Sequence, residues 1–371
     1  MSTLVISDLH LGTRSGADLL RHAANRRPLL DALVGVDRVV LLGDAVELRH
    51  GPLRAQLELA RPFFQELGEA LGSGQVVLAP GNHDHDLIGG WLAGRRFEGA
   101  PPPLAPEQRI SPVEASDAAC LLERWLGAAR FELAYPGLWL RPDVYATHGH
   151  YLDRHLTVPT LERLVVGVMG RVVRAAGARP GADGYEARVA PIYAWLRAVA
   201  EHAGGRAVAG GADVSARVWH GLGGGGHWGL GTRMLVRALL PLAVAVINRL
   251  GVGPLRADVS GEELRRAGLR AITAVAGELG IDAPYVIFGH THRPGPLASD
   301  DPAEWRAGAD VRLLNAGSWI YQRHFLGPDA STSSYWPGCA VLVPDEGEPR
   351  LLRLLSDRSH ADLSRPAPVP L

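Results

Sequence analysis

The chain reads as an α/β sandwich with a mostly helical insertion, and three observations lead there. Short apolar runs recur along it, each followed at once by a polar residue: 4–6 before Asp8, 39–42 before Asp44, 76–78 before Asn82, 144–146 before His148 and 285–288 before His290. Helical spacing of apolar residues fills most gaps between these runs, and it dominates residues 152–281. Continuous apolar runs bounded by Gly or Pro suit strands buried on both faces. Polar residues just past such strands suit the carboxyl edge of an open α/β sheet, where ligands bind.

Taken in order, residues 4–6 form the first strand. Residues 19–34 and 55–71 carry apolar residues at helical spacing with Gly near their ends, so with strands 39–42 and 76–78 they make βα units. Pro101, Pro102, Pro103 and Pro106 mark an extended loop. Beyond strand 144–146, residues 161–176, 185–202, 234–250 and 262–279 read as helices joined by Gly-rich linkers. The Gly-rich run 221–231 has no lysine and no P-loop spacing, so it reads as a hinge or lid connection rather than a phosphate cradle. Late strands are expected at 311–314, 340–343 and 351–355. The division that follows is a first core part at 1–151, an insertion or lid at 152–281, a second core part at 282–358 and a disordered tail at 359–371.

The bulk properties exclude several classes. A net charge of -1, with every basic residue an arginine, makes no electrostatic case for nucleic acid. Cys120 and Cys339 are too few for a disulfide framework or a zinc knuckle, so a reduced, cytoplasmic compartment is expected. No basic segment precedes strand 4–6, so no signal peptide is expected. The most apolar stretch, 234–247, contains Arg237 and Pro241 and is too short to span a bilayer as a helix.

Chemistry concentrates in five blocks: Asp8-Leu9-His10, Gly43-Asp44, Gly81-Asn82-His83-Asp84, Thr147-His148-Gly149-His150 and Gly289-His290-Thr291-His292. Any one alone is weak, because Asp and Asn after strands also serve as turn residues. All five in order, each behind an apolar strand, supply carboxylate, imidazole and amide ligands for two divalent cations. Asp44 suits a bridge, since one carboxylate can hold two metals roughly 3.5–4 Å apart. Asp8, His10 and His292 would complete one shell, and Asn82, His148 and His290 the other. Mixed nitrogen and oxygen donors favour Mn, with Fe or Zn as alternatives, over Mg or Ca. His290 and His292 stand two apart, so an extended segment would send them to opposite faces; the chain must turn at Gly289 or Thr291.

These blocks resemble those of the calcineurin-like metallophosphoesterase superfamily. The resemblance runs from the start of the chain to about Ser318. It implies a four-layer αββα sandwich with a dinuclear site matching the ligand roles above. It also implies that His83 is not a ligand but a hydrogen-bond or proton donor to the scissile phosphate or its leaving oxygen, oriented by Asp84. By motif the chain is most similar to the UDP-2,3-diacylglucosamine pyrophosphohydrolase group, in Asp8-Leu9-His10-Leu11, Gly43-Asp44-Ala45-Val46-Glu47 and the segment 289–294. That group has Arg where His83 stands, His-Gly-Asp where His148-Gly149-His150 stands, and a shorter insertion, so its lipid substrate is not carried over.

The function expected is hydrolysis of a phosphoester or pyrophosphate, with a metal-bridging hydroxide as nucleophile and His83 as acid or charge stabiliser. The substrate would be a phosphorylated small molecule or a lipid-linked one. Two alternatives stand beside it. One is a hydrolase at the membrane surface, peripheral to its inner face, with the 234–250 helix as the apolar element. The other is a non-catalytic scaffold of the same fold.

Glu47 reads either as a support for the site or as a surface residue of the following helix. His150 and His155 read as supports or substrate contacts, or as neither. Arg293 and the segment 315–319 read as cleft lining, with Asn315 or Ser318 holding the histidine pair and Arg293 meeting phosphate, or else as turn and packing residues. His85, His220, His227 and His324 read as surface or loop residues, and Trp219, Trp228, Trp319 and Trp336 as core or lid packing.

Overall fold

The computed structural model describes residues 1–97, 101–175, 181–202, 241–258, 260–308 and 310–364. Eleven strands are hydrogen-bonded edge to edge. They are β1 Thr3–Ile6, β2 Arg38–Leu41, β3 Gln75–Leu78, β4 Glu107–Ile110, β5 Arg130–Arg141, β6 Val144–Thr147, β7 Tyr285–Phe288, β8 Arg306–Ala307, β9 Val311–Asn315, β10 Cys339–Val343 and β11 Arg350–Arg353. Their order is β11-β10-β1-β2-β3-β5-β6-β7-β9-β8, with β4 on β5. The sheet is mixed. β1, β2 and β3 run parallel to one another, as do β6, β7 and β9.

Strand β5 joins the two halves. Its residues 130–133 pair with β3 and its residues 137–141 pair with β6. The halves then close face to face. Val5, Val40 and Val77 from the first half share one buried apolar cluster with Val144, Ala146 and Ile287 from the second. Their neighbours on the strands, Leu4, Val39, Val76 and Phe288, belong instead to the cluster shared with the helices. The two-residue period of a strand puts alternate side chains on opposite faces, and here both faces are covered. The result is a mixed sheet folded into a sandwich and flanked by helices, the architecture expected from the sequence.

Helices follow the expected pattern with local changes. The first is split: a 3-10 turn, Leu19–Arg21, precedes α1 at Ala23–Asp31, with His22 between them in an extended conformation. The turn is tied elsewhere, since Leu19 N donates to Trp319 O and Tyr321 N to Ala17 O. Next come α2 at Leu53–Leu71, α3 at Gly89–Phe97, α4 at Pro112–Ala115, α5 at Asp117–Leu126, α6 at Leu161–Ala175 and α7 at Ala182–His202. Residues 241–249 and Gly261–Leu279 are also helical. The Gly-rich run 221–231, with His220, His227, Trp219 and Trp228, lies outside the described residues. Within the segment expected to be a disordered tail, Ser359 caps a short helix, His360–Leu363, while 365–371 lie outside the described residues. Among the described residues, no helix is long and apolar enough to cross a membrane.

Candidate metal centre

Seven donor residues sit just past strand ends on the same edge of the sandwich. Asp8 and His10 follow β1, Asp44 follows β2 and Asn82 follows β3; His148 follows β6, and His290 and His292 follow β7. The chain bends sharply to aim them. Asp8, His10, Asp44, His290 and His292 all have positive φ, between 45° and 65°. For a residue with a side chain that left-handed conformation costs energy, and it persists only where the surroundings over-determine it. The expected turn at Gly289 or Thr291 is therefore made by the histidines themselves. Close packing accounts for the glycines beside them. A Cβ on Gly43 would collide with the His148 ring, and one on Gly289 with Ser7 Oγ.

Two donor clusters result. Asp8, His10 and His292 each bring one donor atom within 4.8 Å of the others, and Asp44, His148 and His290 do the same. Asp44 lies between them: its Oδ2 is 3.6 Å from His10 Nε2 and 3.4 Å from His148 Nε2. Asn82 Oδ1 joins the second cluster, 3.2 Å from His148 Nε2 and 3.1 Å from His290 Nδ1. The expected division of donors, with Asp44 in the middle, is the one the fold brings together. His83 forms a further close group with His10 and Asp44.

Each donor is held from behind. His148 Nδ1 donates to Leu42 O at 2.9 Å, which leaves Nε2 facing inward as a lone pair. His10 Nδ1 meets Glu47 Oε2 at 3.1 Å, and His290 Nε2 meets Asp153 Oδ1 at 3.1 Å. Asp8 Oδ2 accepts from Ser7 Oγ at 2.6 Å and from His290 N at 2.9 Å. Asn315 Nδ2 donates to Gly289 O and to Thr291 Oγ1, both at 3.0 Å, so it holds the histidine loop. Asp8 Oδ1 lies 3.2 Å from His292 Nε2, and His10 Nε2 is buried without a hydrogen-bond partner, 3.6 Å from Asp44 Oδ2 and 4.0 Å from Asp8 Oδ1. Buried carboxylates and imidazoles crowded this closely are costly unless protons or a cation lie among them. A cation satisfies them, and so the donor set fits divalent metals.

The titration of these groups tells the same story. Burial alone would raise Asp8, but His292 and His148 outweigh it and hold the carboxyl at about 2. Asp44 is likewise raised by burial and held well below the usual carboxylate range by His148 and His83. Burial would lower His10, but Glu47, Asp44 and Asp8 lift it to about 9. His148 is lowered by burial and lifted to about 10 by Asp44 and Asp8. In the metal-free protein, protons on these rings balance the carboxylates.

The residues around His83 depart from expectation. Asp84 does not orient His83. Its oxygens accept from the backbone N–H groups of Gly81 at 2.7 Å, Ala45 at 2.7 Å and Asp44 at 3.2 Å, which ties the Asn82 loop to the Asp44 loop. Burial, then the charge of Asp44, pushes Asp84 up to about 6. The carboxylate at His83 is Glu47, whose oxygens lie 2.8 and 2.9 Å from Nδ1. Glu47 is buried, not a surface residue. Burial pushes His83 down to about 4, against Glu47 and Asp44. Of the two readings left open for Arg293, packing is the one the contacts fit. Arg293 is buried against Asp300, which accepts from Nη1 at 3.0 Å, and stacks on Trp305.

Other polar residues lie behind the centre. His85, read as a surface residue, is buried, with Nε2 3.1 Å from Glu186 on α7. Tyr135 also donates to Glu186, and Tyr151 OH does so at 2.8 Å. His150 Nε2 lies 3.2 Å from Tyr135 OH, and His155 Nε2 2.6 Å from Tyr185 OH. Asp153 and Glu186 carried no motif, and only the spacing of Asp153 five residues after His148 hinted at a role. In front of the donors lies a cavity of about 500 Å³, lined by His83, Asp153, Leu156, Thr160, Glu162 and Leu264 among others.

The calcineurin-like phosphoesterase family model matches residues 1–180, the segment that supplies Asp8, His10, Asp44, Asn82, His83 and His148. With the assembled donor set, this makes the chain a metal-dependent phosphoesterase in class. Superposition on the crystal structure of a dimetal phosphatase from Danio rerio covers 95% of this chain and 99% of that one. The identity is 11% and the TM-score 0.33, too low to support anything further. No curated protein matches the chain.

Proposed function

We propose that the chain hydrolyses a phosphoester or phosphoanhydride bond with two divalent cations. Asp8, His10, His292 and Asp44 would hold one, and Asp44, Asn82, His148 and His290 the other. The observation that carries this is the position of Asp44 Oδ2 between His10 Nε2 and His148 Nε2. Mixed imidazole and oxygen donors favour Mn, Fe or Zn, with Mn first. When bound, such a pair supplies Lewis-acid charge for phosphoryl oxygens and acidifies water at neutral pH.

The chain's own residues do the rest. Glu47 accepts a hydrogen bond from His83 Nδ1, so the other ring nitrogen is the one left to serve a substrate. A phosphoryl dianion beside that ring favours its protonated form, and His83 then donates to the leaving oxygen or stabilises charge on the phosphoryl group. Leu156, Thr160, Glu162 and Leu264 wall the cavity, which supports reading residues 152–281 as a lid over the core.

A screen of phosphorylated metabolites and aryl phosphodiesters, with Mn added and after chelation, tests the reading. Turnover that requires metal supports it. A chain that binds no metal and turns over nothing is instead the non-catalytic scaffold.

A second reading, a membrane-surface hydrolase of a lipid-linked phosphoester, is favoured by Val165, Val168, Trp195, Leu242, Val246 and Leu250. All are exposed large apolar residues of the insertion. Flotation with anionic liposomes tests it, and an equal soluble fraction with and without vesicles ends it.

A further inference from the structure

A second cavity, of about 340 Å³, lies on the far side of His83 and Asn82, which line both spaces. Arg49, Tyr193 and Arg197 line only this one. Arg197 is already matched, by Asp86 at 3.2 Å and by Glu201. His85, on the same wall, is matched by Glu186. Arg49 differs. It is 8% exposed, its guanidinium stacks 4.7 Å above the Tyr193 ring, and its Nη2 is buried with no hydrogen-bond partner. Among the described residues no carboxylate pairs with it.

Asn82 sharpens the point. With its oxygen turned toward His148 and His290, its Nδ2 lies 3.2 Å from Arg49 Nη1. Two donors that close are a poor match for each other. In a protein without cations the amide would turn over, giving its NH₂ to the imidazoles and its oxygen to Arg49. A cation at Asn82 Oδ1 forbids that turn. It leaves Nδ2, Nη1 and the unpartnered Nη2 as a row of donors with no acceptor. Such a row, one member a buried guanidinium, is built for an oxyanion.

We propose that Arg49, with Asn82 Nδ2, forms a specificity site for an oxyanion carried by the leaving portion of the substrate. This rests on the phosphoesterase reading above, with the scissile phosphoryl group against the metal donors. His83 stands between the two cavities, so a leaving group protonated by His83 departs toward Arg49. The oxyanion is a second phosphoryl group or a carboxylate; the guanidinium suits both.

The test uses the metal-loaded enzyme, wild type and Arg49→Gln, on three substrates. One is an aryl phosphate with a neutral leaving group, one an ester whose leaving group bears a carboxylate, and one a phosphoanhydride. The ratio of kcat/KM for the charged over the neutral leaving group falls about ten- to a hundred-fold in the variant, chiefly through KM. Whichever charged substrate loses more identifies the oxyanion. Arg49→Lys recovers part of the loss. Calorimetric binding of methylenediphosphonate reads the same site without turnover and weakens in Arg49→Gln relative to inorganic phosphate. Equal losses on all three substrates, loss of bound metal, or an unchanged ratio each overturn the proposal. Wild-type enzyme that turns over none of them, yet binds methylenediphosphonate through Arg49, sinks the phosphoesterase reading and leaves the oxyanion site standing.

Discussion

Two buried polar clusters stand back to back across the His148 and His150 rings, whose centroids are 5.7 Å apart. In the front cluster, carboxylate and imidazole atoms converge, and His10 Nε2 is left without a hydrogen-bond partner. In the rear cluster the Glu186 carboxylate is met by Tyr135, Tyr151 and His85. Both clusters are buried and rich in titratable groups. They differ in how the carboxylates are met, although His150 Nδ1 on the rear side also lacks a hydrogen-bond partner. A carboxylate ringed by hydroxyl and imidazole donors closes a structure, whereas several carboxylates and imidazoles converging on one point suit a cation.

The sharpest way to break the contrast is Asp44→Asn. It should strip metal from the front cluster and abolish hydrolysis, and elemental analysis beside the assay checks both. Next is His83→Ala. Metal content should stay and turnover fall by about two to four powers of ten. Loss of metal there would make His83 a ligand, as its closeness to His10 and Asp44 allows.

A smaller effect is electrostatic. His10 and His148 keep their protons to about 9 and about 10 in the folded, metal-free protein, against roughly 6.5 when unfolded. Their raised values stabilise the fold fully below about pH 6.5, and that contribution is lost as pH rises through 9 and 10. Metal affinity should run the other way, rising with pH until it levels off above about 9 to 10, where these rings no longer hold competing protons. Thermal melts with chelator and metal titrations across that range test both signs. An affinity independent of pH would show that these rings do not take up metal. The smallest effect on activity belongs to the rear cluster. Tyr135→Phe should cost about 1–3 kcal/mol of stability, because Glu186 loses a donor, with metal content unchanged. Urea unfolding measures the first and elemental analysis the second.

The sequence reading reached the front cluster and missed the rear one, for a physical reason. A donor just past a buried strand is a local pattern, so Asp8, Asp44, Asn82, His148 and His290 could be read from their own neighbourhoods. What supports a donor is not local. Asp84 looked like the partner of His83 because it is adjacent, yet the fold sends it to the backbone and brings Glu47 instead. Glu186, on a distant helix, meets His85 and Tyr135 only once α7 has packed. For Arg293 the sequence left phosphate contact and packing both open, because nothing in the pattern announces Asp300, seven residues on. Periodicity tells which face is buried, not which partners meet there.

The joint made by β5 has a mechanical consequence. Asp8, Asp44 and Asn82 ride on one leaf of the folded sheet, His148, His290 and His292 on the other. The layer between the two leaves mixes branched side chains such as Val5, Val40 and Ile287 with small ones, Ala79 and Ala146 among them. At 0% exposure, neither alanine has room to grow. A bulkier residue at either would pry the leaves apart and detune ion spacing at a distance, without touching a single ligand.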